Sequence, residues 1–337
     1  MSFKPFLRLW RQGQLSALLG ATAEFKSFYK LTYLAAAGEA GLLTRLASGP
    51  ATLNSLAEFY KVNARGRDAL EAWLQFGVRL KLLTLGSRGY SLRAFAKKLA
   101  RPENDPVLAV VEEVVDLHHK LITATIPKLR TGDLWSLNDQ NGELIARSSR
   151  ILEAFQVEII TSTFPEKGAL RLLEIGCGSG VYLRHAAERN PSLTALGLEL
   201  QPDVAEVARI NIREWGLEGR IKIEDGDFRA RVPGELFDIA TLYNNIYYFP
   251  VEERVELLRQ VGGFLKPGGF LVVTTCCQGG SLGAEALNLW GAATSGAGRL
   301  PAEDELIRQL RDAGYSTVKS TNLLPGDRFV GFQAFRG

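Results

Sequence analysis

Two hydrophobic rhythms follow one another along this chain. Through residues 3–164, apolar side chains recur mostly at three- and four-residue steps, the spacing of helices with one buried face. From residue 169 onward, short apolar runs alternate with helical stretches, the pattern of a parallel sheet wound on both faces. The runs predict strands at 171–175, 193–198, 221–224, 237–243, 270–275, 316–322 and 328–335, with helices at 181–189, 203–215, 252–264 and 303–313. Only Leu323-Leu324-Pro325-Gly326-Asp327 separates the last two strands, so they are expected to form an antiparallel hairpin at the sheet edge.

The helical half carries its own landmarks. Phe25, Phe28, Tyr29 and Tyr33 recur at helical spacing within 3–37, an apolar surface of the kind that packs on a second copy of a chain. Thr52 is placed to cap a helix over 53–60, and Asn63 to open another over 64–80. Residues 82–85 and 90–92 flank Gly86-Ser87-Arg88-Gly89 and read as a small hairpin. Two helices and a hairpin in that order make a winged-helix unit. Further helices are expected through 99–164, broken by a polar loop at 133–142. The expected organisation is a helical winged-helix domain at 1–100, a helical connector lining a substrate cleft at 101–165, and a doubly wound, Rossmann-like α/β domain at 166–337.

Charge changes this picture in one respect. The chain of 337 residues has a formal net charge of +3, but residues 1–101 hold 16 Lys/Arg against 5 Asp/Glu, a net of +11. Arg65, Arg67 and Arg88 fall where a winged helix would meet DNA. The same helix carries Trp73, Leu74, Phe76, Val78 and Leu80, a core or dimer face and not a groove reader. A solvated basic surface is therefore the favoured reading over nucleic acid, with attraction of an acidic substrate as a further option. The start, through Leu15, is basic and amphipathic but lacks the uninterrupted apolar stretch of a signal peptide. No apolar run is long enough for a membrane span. Three cysteines, two of them adjacent, give neither a disulfide framework nor a metal spacing, so a cytoplasmic setting without metal is expected.

The chemistry centres on Glu174-Ile-Gly-Cys-Gly-Ser-Gly180, which follows the first predicted strand of the α/β half and opens a helix. Gly176, Gly178 and Gly180 let backbone approach a ligand closely at a helix start. Val181 stands where a dinucleotide fingerprint would place its third small residue. Glu199 ends the second strand, where a carboxylate accepts from ribose hydroxyls. Asp227 follows the third, with Phe228 beside it to cover an adenine ring. A negative Glu174 next to the turn would repel a pyrophosphate but suit a cation. A ligand held among Glu174, Glu199 and Asp227 is then nucleoside-like, positively charged and free of phosphate, which describes S-adenosylmethionine.

These residues, with Gly197-Leu-Glu199, Gly226-Asp227, Phe237-Asp238 and Leu265-Lys-Pro-Gly-Gly-Phe-Leu271, occur in an order that resembles class I S-adenosylmethionine-dependent methyltransferases. The first domain is similar to the dimerisation domain of small-molecule O-methyltransferases at Ala37-Gly-Glu-Ala-Gly-Leu-Leu43, Gly49-Pro-Ala-Thr-Leu-Asn-Ser-Leu-Ala57 and Tyr90-Ser-Leu92. The resemblance implies methyl transfer to a small acceptor, an aromatic or polyketide-like metabolite in the first instance, with S-adenosylhomocysteine as product and a homodimer as the assembly. It adds Leu200 and Asn244 to the cofactor site and Tyr248 and Trp290 to the acceptor site. Residues 278–300, rich in glycine and alanine, would form a mobile lid over that site.

One position departs from the family. Its histidine base is expected where this chain has Tyr247, in Asn244-Asn245-Ile246-Tyr247-Tyr248-Phe249-Pro250. Tyr247 then orients the acceptor, or another residue is the base, or the acceptor needs none, or Tyr247 simply packs in the wall. His118 and His119 are the alternative catalytic candidates. Adjacent residues cannot share a helix face, so at most one of them points into a cleft, and a packing role competes with a catalytic one. Two other functions stay open: C- or N-methylation, or non-methylating use of the same cofactor, and a cofactor-sensing DNA-binding regulator.

Overall fold

The computed structural model describes residues 3–337. The chain divides into two compact units: one runs through Lys120 and includes Asn141–Ile151, the other comprises Leu121–Gln140 and Leu152–Gly337. The stretch 101–165, expected as a connector, is thus shared between the two units and is not a body of its own.

The first unit begins with helices Lys4–Arg11, Gln14–Glu39 and Leu42–Ala47. The winged-helix elements follow as expected: helices Leu53–Phe59 and Arg67–Arg79, then strands β1 (Leu83–Gly86) and β2 (Gly89–Leu92), paired antiparallel. Thr52 accepts from the Ser55 amide at 3.2 Å, so the predicted cap is made. The helix Arg67–Arg79 buries Leu70 and Leu74, and Trp73 stacks on Tyr33 at 4.9 Å between ring centroids. It therefore belongs to the core of its own unit. A buried Glu112 is held by Arg147 at 2.9 Å, and Arg147 also takes Asp105 at 2.6 Å. That network closes Asn141–Ile151 onto the helix Asp105–Glu113.

The second unit is built on seven strands: β3 (Leu170–Ile175), β4 (Leu193–Glu199), β5 (Ile221–Asp225), β6 (Phe237–Tyr243), β7 (Leu265–Cys276), β8 (Tyr315–Asn322) and β9 (Phe329–Arg336). Their order in the sheet is β5-β4-β3-β6-β7-β9-β8, with β7, β9 and β8 joined antiparallel and the rest parallel. The reversal of strand order falls between β3 and β6. Ligands of open α/β sheets bind just beyond the carboxyl ends of the strands at that reversal, which is where the glycine turn begins.

Two elements differ from expectation. Strand β7 starts at Leu265, because Lys266-Pro267-Gly268-Gly269 does not end the extended run. Gly269 sits where any Cβ would lie 2.9 Å from the Asp238 carbonyl, so a residue that looks like a breaker permits two strands to approach. The segment read as a mobile lid contains a regular helix, Leu282–Ala293, capped by Ser281. Its Trp290 is 1% exposed.

Candidate functional site

The turn after β3 is held open by its backbone. Gly176, Gly178 and Gly180 all have positive φ (70°, 55° and 81°), a region costly for residues with a Cβ. At Gly176 space forbids one as well: a Cβ would lie 2.6 Å from Asn245 Nδ2. Four amides of the turn are already engaged. Gly176 and Cys177 both donate to the Leu198 carbonyl (2.8 and 2.9 Å), and Gly180 donates to the Cys177 carbonyl at 2.9 Å. Gly178 donates to Glu199 Oε2 at 2.9 Å. An anion cradle needs such amides aimed at the ligand, and here they are used within the chain. The turn is therefore shaped for close approach and is a poor phosphate cradle.

Beneath it lies Glu174, 1% exposed, with neither carboxylate oxygen hydrogen-bonded. Burial, and then the charge of Glu199, push its carboxyl well above the ordinary carboxylate range. A buried carboxylate without partners is costly, and a cation brought to it relieves that cost. Tyr243, at the end of β6, is the next unsatisfied group: its hydroxyl is buried and unpartnered, and burial and the neighbouring Glu174 push it up. Gln156, fully buried, donates to Thr274 Oγ1 at 2.7 Å and leaves its own Oε1 without a partner. Asn245 donates through Nδ2 to the Ile175 carbonyl at the strand end, while its Oδ1 is unpartnered.

Asn244 is left-handed, with φ of 53°, a conformation that asparagine tolerates better than most residues. Its amide donates to the Thr274 carbonyl at 2.8 Å, and its buried Oδ1 has no partner. Backbone held in a sparsely populated region beside unsatisfied polar atoms marks a functional end of the sheet. Tyr243, Asn245 and Gln156 were missed in the sequence. The Asn-Asn doublet closing an apolar strand was the signal available; nothing in the spacing marked Gln156.

The other carboxylates are differently placed. Glu199 is half-buried at the end of β4 and also accepts from the Gln201 amide at 3.1 Å. Leu200, beside it, is 50% exposed, an apolar cover next to an acceptor. Asp227 caps the turn Phe228–Ala230 and pairs with Arg229 at 2.8 Å, which holds its carboxyl below the ordinary range. Phe228 departs from expectation. Its ring is 4% exposed and packs on Phe264 at 5.2 Å, so it is a core side chain and does not cover a ligand. Apolar packing against the helix Arg254–Gly263 side of the sheet outweighs exposure at this position.

At the far side of the same strand ends stands an aromatic cluster. Tyr247 is 7% exposed and packs on Tyr248 at 5.0 Å and edge-on against Trp290 at 6.2 Å. Tyr248 meets Trp290 at 5.3 Å. The Tyr247 carbonyl accepts from the Gly298 amide at 2.9 Å. Trp290, expected to face the acceptor, is a core residue instead. Trp135 joins the same region through backbone bonds to Ala293 and Ser295 (both 2.8 Å), and its buried indole N–H is unpartnered. His118 and His119 lie in the other unit: His118 meets Glu113 at 3.3 Å, and His119 sits 6.2 Å from the Phe28 ring. Among the described residues, no group of three His, Cys, Asp or Glu is arranged to hold a metal.

Comparison with known proteins bears on this geometry. Residues 172–269 match the family described as "Methyltransferase domain". The chain is 26% identical to demethylspheroidene O-methyltransferase of Cereibacter sphaeroides, over 96% of its own length and 87% of that protein's. Its fold is similar to that of a mitomycin 7-O-methyltransferase (TM-score 0.80, 19% identity, 97% of this chain and 100% of that one). It is also similar to an O-methyltransferase of neocarzinostatin biosynthesis solved with S-adenosylmethionine and 2-hydroxy-5-methyl naphthoic acid (TM-score 0.70, 18% identity, 92% and 96% covered).

Proposed function

We propose that this protein, an S-adenosylmethionine-dependent methyltransferase, methylates an oxygen of a small, largely apolar organic molecule and uses no histidine at the acceptor oxygen. The observation that carries the reading is Glu174, buried with both oxygens unpartnered under a turn in which the amides of Gly176, Cys177, Gly178 and Gly180 are already taken. Such a site fits a cationic nucleoside and disfavours a phosphate-bearing one. When bound, S-adenosylmethionine supplies a methyl carbon already activated by the positive sulfur, and the carbon–sulfur electrons leave with the neutral thioether.

The chain's own residues then have limited tasks. Glu174 and the Tyr243 hydroxyl supply the polar floor for the charged end of the nucleoside. Glu199 accepts ribose hydroxyls, Leu200 covers the base, and Asp227 keeps acceptor capacity beside its Arg229 pair. Gly176, Gly178 and Gly180 allow the close approach, and Asn244 contributes its strained backbone. Tyr247 and Tyr248, backed by the buried Trp290, form a wall that aligns an acceptor oxygen with the methyl carbon. Alignment alone supplies a large part of the acceleration of an in-line displacement, and the hydroxyl proton leaves to water. The relatives named above carry the names of demethylspheroidene and mitomycin O-methyltransferases, and one neighbour was solved with 2-hydroxy-5-methyl naphthoic acid, which supports a small organic acceptor here. The first unit is read as the dimerisation part, through the exposed Leu18, Leu19, Phe25 and Phe28 of helix Gln14–Glu39. No helix of the described residues is long and apolar enough to cross a membrane, and a cytoplasmic setting belongs to the same proposal.

Calorimetric titration tests it first: S-adenosylmethionine and S-adenosylhomocysteine bind, while NAD and ATP do not. Mass spectrometry of phenolic acceptors then shows a product heavier by one CH2 group. Tight binding of NAD or ATP with indifference to the sulfur nucleoside would overturn the reading.

A further inference from the structure

The helix Lys4–Arg11 buries none of its side chains. Phe3, Phe6, Leu7 and Trp10 are 83%, 60%, 48% and 67% exposed. At helical spacing these four share one side, while Lys4, Arg8 and Arg11 occupy the neighbouring side. No acidic residue precedes Glu24 in the sequence. A left-handed Gly13 (φ 69°) sets the helix off from Gln14–Glu39.

We propose that this helix lies flat on an anionic phospholipid surface, with Phe6 and Trp10 at the boundary between headgroups and acyl chains and the three cations among the phosphates. Charge complementarity selects this partner. A basic, aromatic-rich helix face is attracted by an anionic bilayer and buries its rings there. Aromatic rings, Trp above all, favour that boundary over the acyl interior. Eight residues are too few to span a bilayer, so the helix lies in its plane. A nucleic acid would engage the cations and leave the rings in water. A second copy would bring its own cations against these. The proposal stands apart from the methyl-transfer reading, and either can fail alone.

Flotation of the full chain with vesicles tests it. The expected result is recovery with vesicles of phosphatidylcholine and phosphatidylglycerol, and little with phosphatidylcholine alone. The double variant Phe6→Ser/Trp10→Ser should lower partitioning at least about tenfold. Arg8→Gln/Arg11→Gln should lower it about twenty-five-fold, at roughly fivefold per cation. Trp10 emission should shift to the blue on adding anionic vesicles, a change that Trp10→Phe removes. All these positions are exposed, and an unchanged melting curve shows that the variants fold. The proposal is overturned by absence of flotation, or by flotation that neither double variant reduces. It is equally overturned if the Arg variant abolishes RNA binding while wild type ignores vesicles, or if the aromatic variant splits a vesicle-free oligomer and floats undiminished.

Discussion

The two ends of the candidate site are built on opposite principles. Around the glycine turn, polar atoms are buried and left unsatisfied: both oxygens of Glu174, the Tyr243 hydroxyl, and Oδ1 of Asn244 and Asn245. A few residues further along the same strand ends, Tyr247, Tyr248 and Trp290 are packed ring to ring. Buried polar groups without partners destabilise a fold, so they persist where a ligand completes them. Packed aromatics contribute stability by themselves and ask of a ligand only that it fit. On the proposed reading one end recognises charge and the other recognises shape, and the two should respond differently to substitution.

The sharpest separation is expected from Trp290→Ala. Truncating a fully buried indole should cost about 3–5 kcal/mol of stability. At temperatures where the variant is folded, affinity for S-adenosylmethionine should stay within about twofold of wild type. Calorimetric melting and titration read the two quantities; a collapse in affinity would mean that the aromatic end also holds the cofactor.

Glu174→Gln should do the reverse and weaken S-adenosylmethionine binding about a hundredfold, the loss of a buried opposite charge. It should also change how stability depends on pH. The folded chain keeps the Glu174 carboxyl neutral to higher pH than the unfolded chain does. Its contribution is therefore full at low pH and declines as pH rises from the ordinary carboxylate value toward the raised one. The glutamine variant should lose that decline, giving a flatter plot of melting temperature against pH. An unaltered slope would remove Glu174 as the buried acid.

Gly176→Ala comes next. A left-handed φ and a Cβ 2.6 Å from Asn245 Nδ2 should together cost about 2 kcal/mol by chemical denaturation. Tyr247→Phe should have the smallest effect, lowering kcat by less than about threefold, because a wall residue keeps its ring. A fall of about a hundredfold or more would mark Tyr247 as an acid or base and erase the contrast between the two ends.

Much of this was legible in the chain, for identifiable reasons. Strands buried on both faces leave continuous apolar runs, so β3, β4 and β6 stand out, and Thr52 and Asn63 announce the helices they cap. The glycine turn was readable because positive φ demands glycine. Other features were hidden. The helix Leu282–Ala293 is rich in alanine and glycine, a composition shared with loops, and only its packing on Tyr247 and Tyr248 reveals it. Phe228 was misread because sequence places a residue beside a site without fixing which way its ring turns. The partnership of Gln156 with Thr274 joins residues far apart in the chain, and no local pattern encodes it.

Strand β8 carries a consequence of another kind. It forms one border of the sheet, and Ser316, Thr317, Lys319, Ser320, Thr321 and Asn322 are all either exposed or partly so. A short polar border with a lysine resists being extended by a foreign strand. At this border, self-association should therefore not proceed by adding a strand from a second copy.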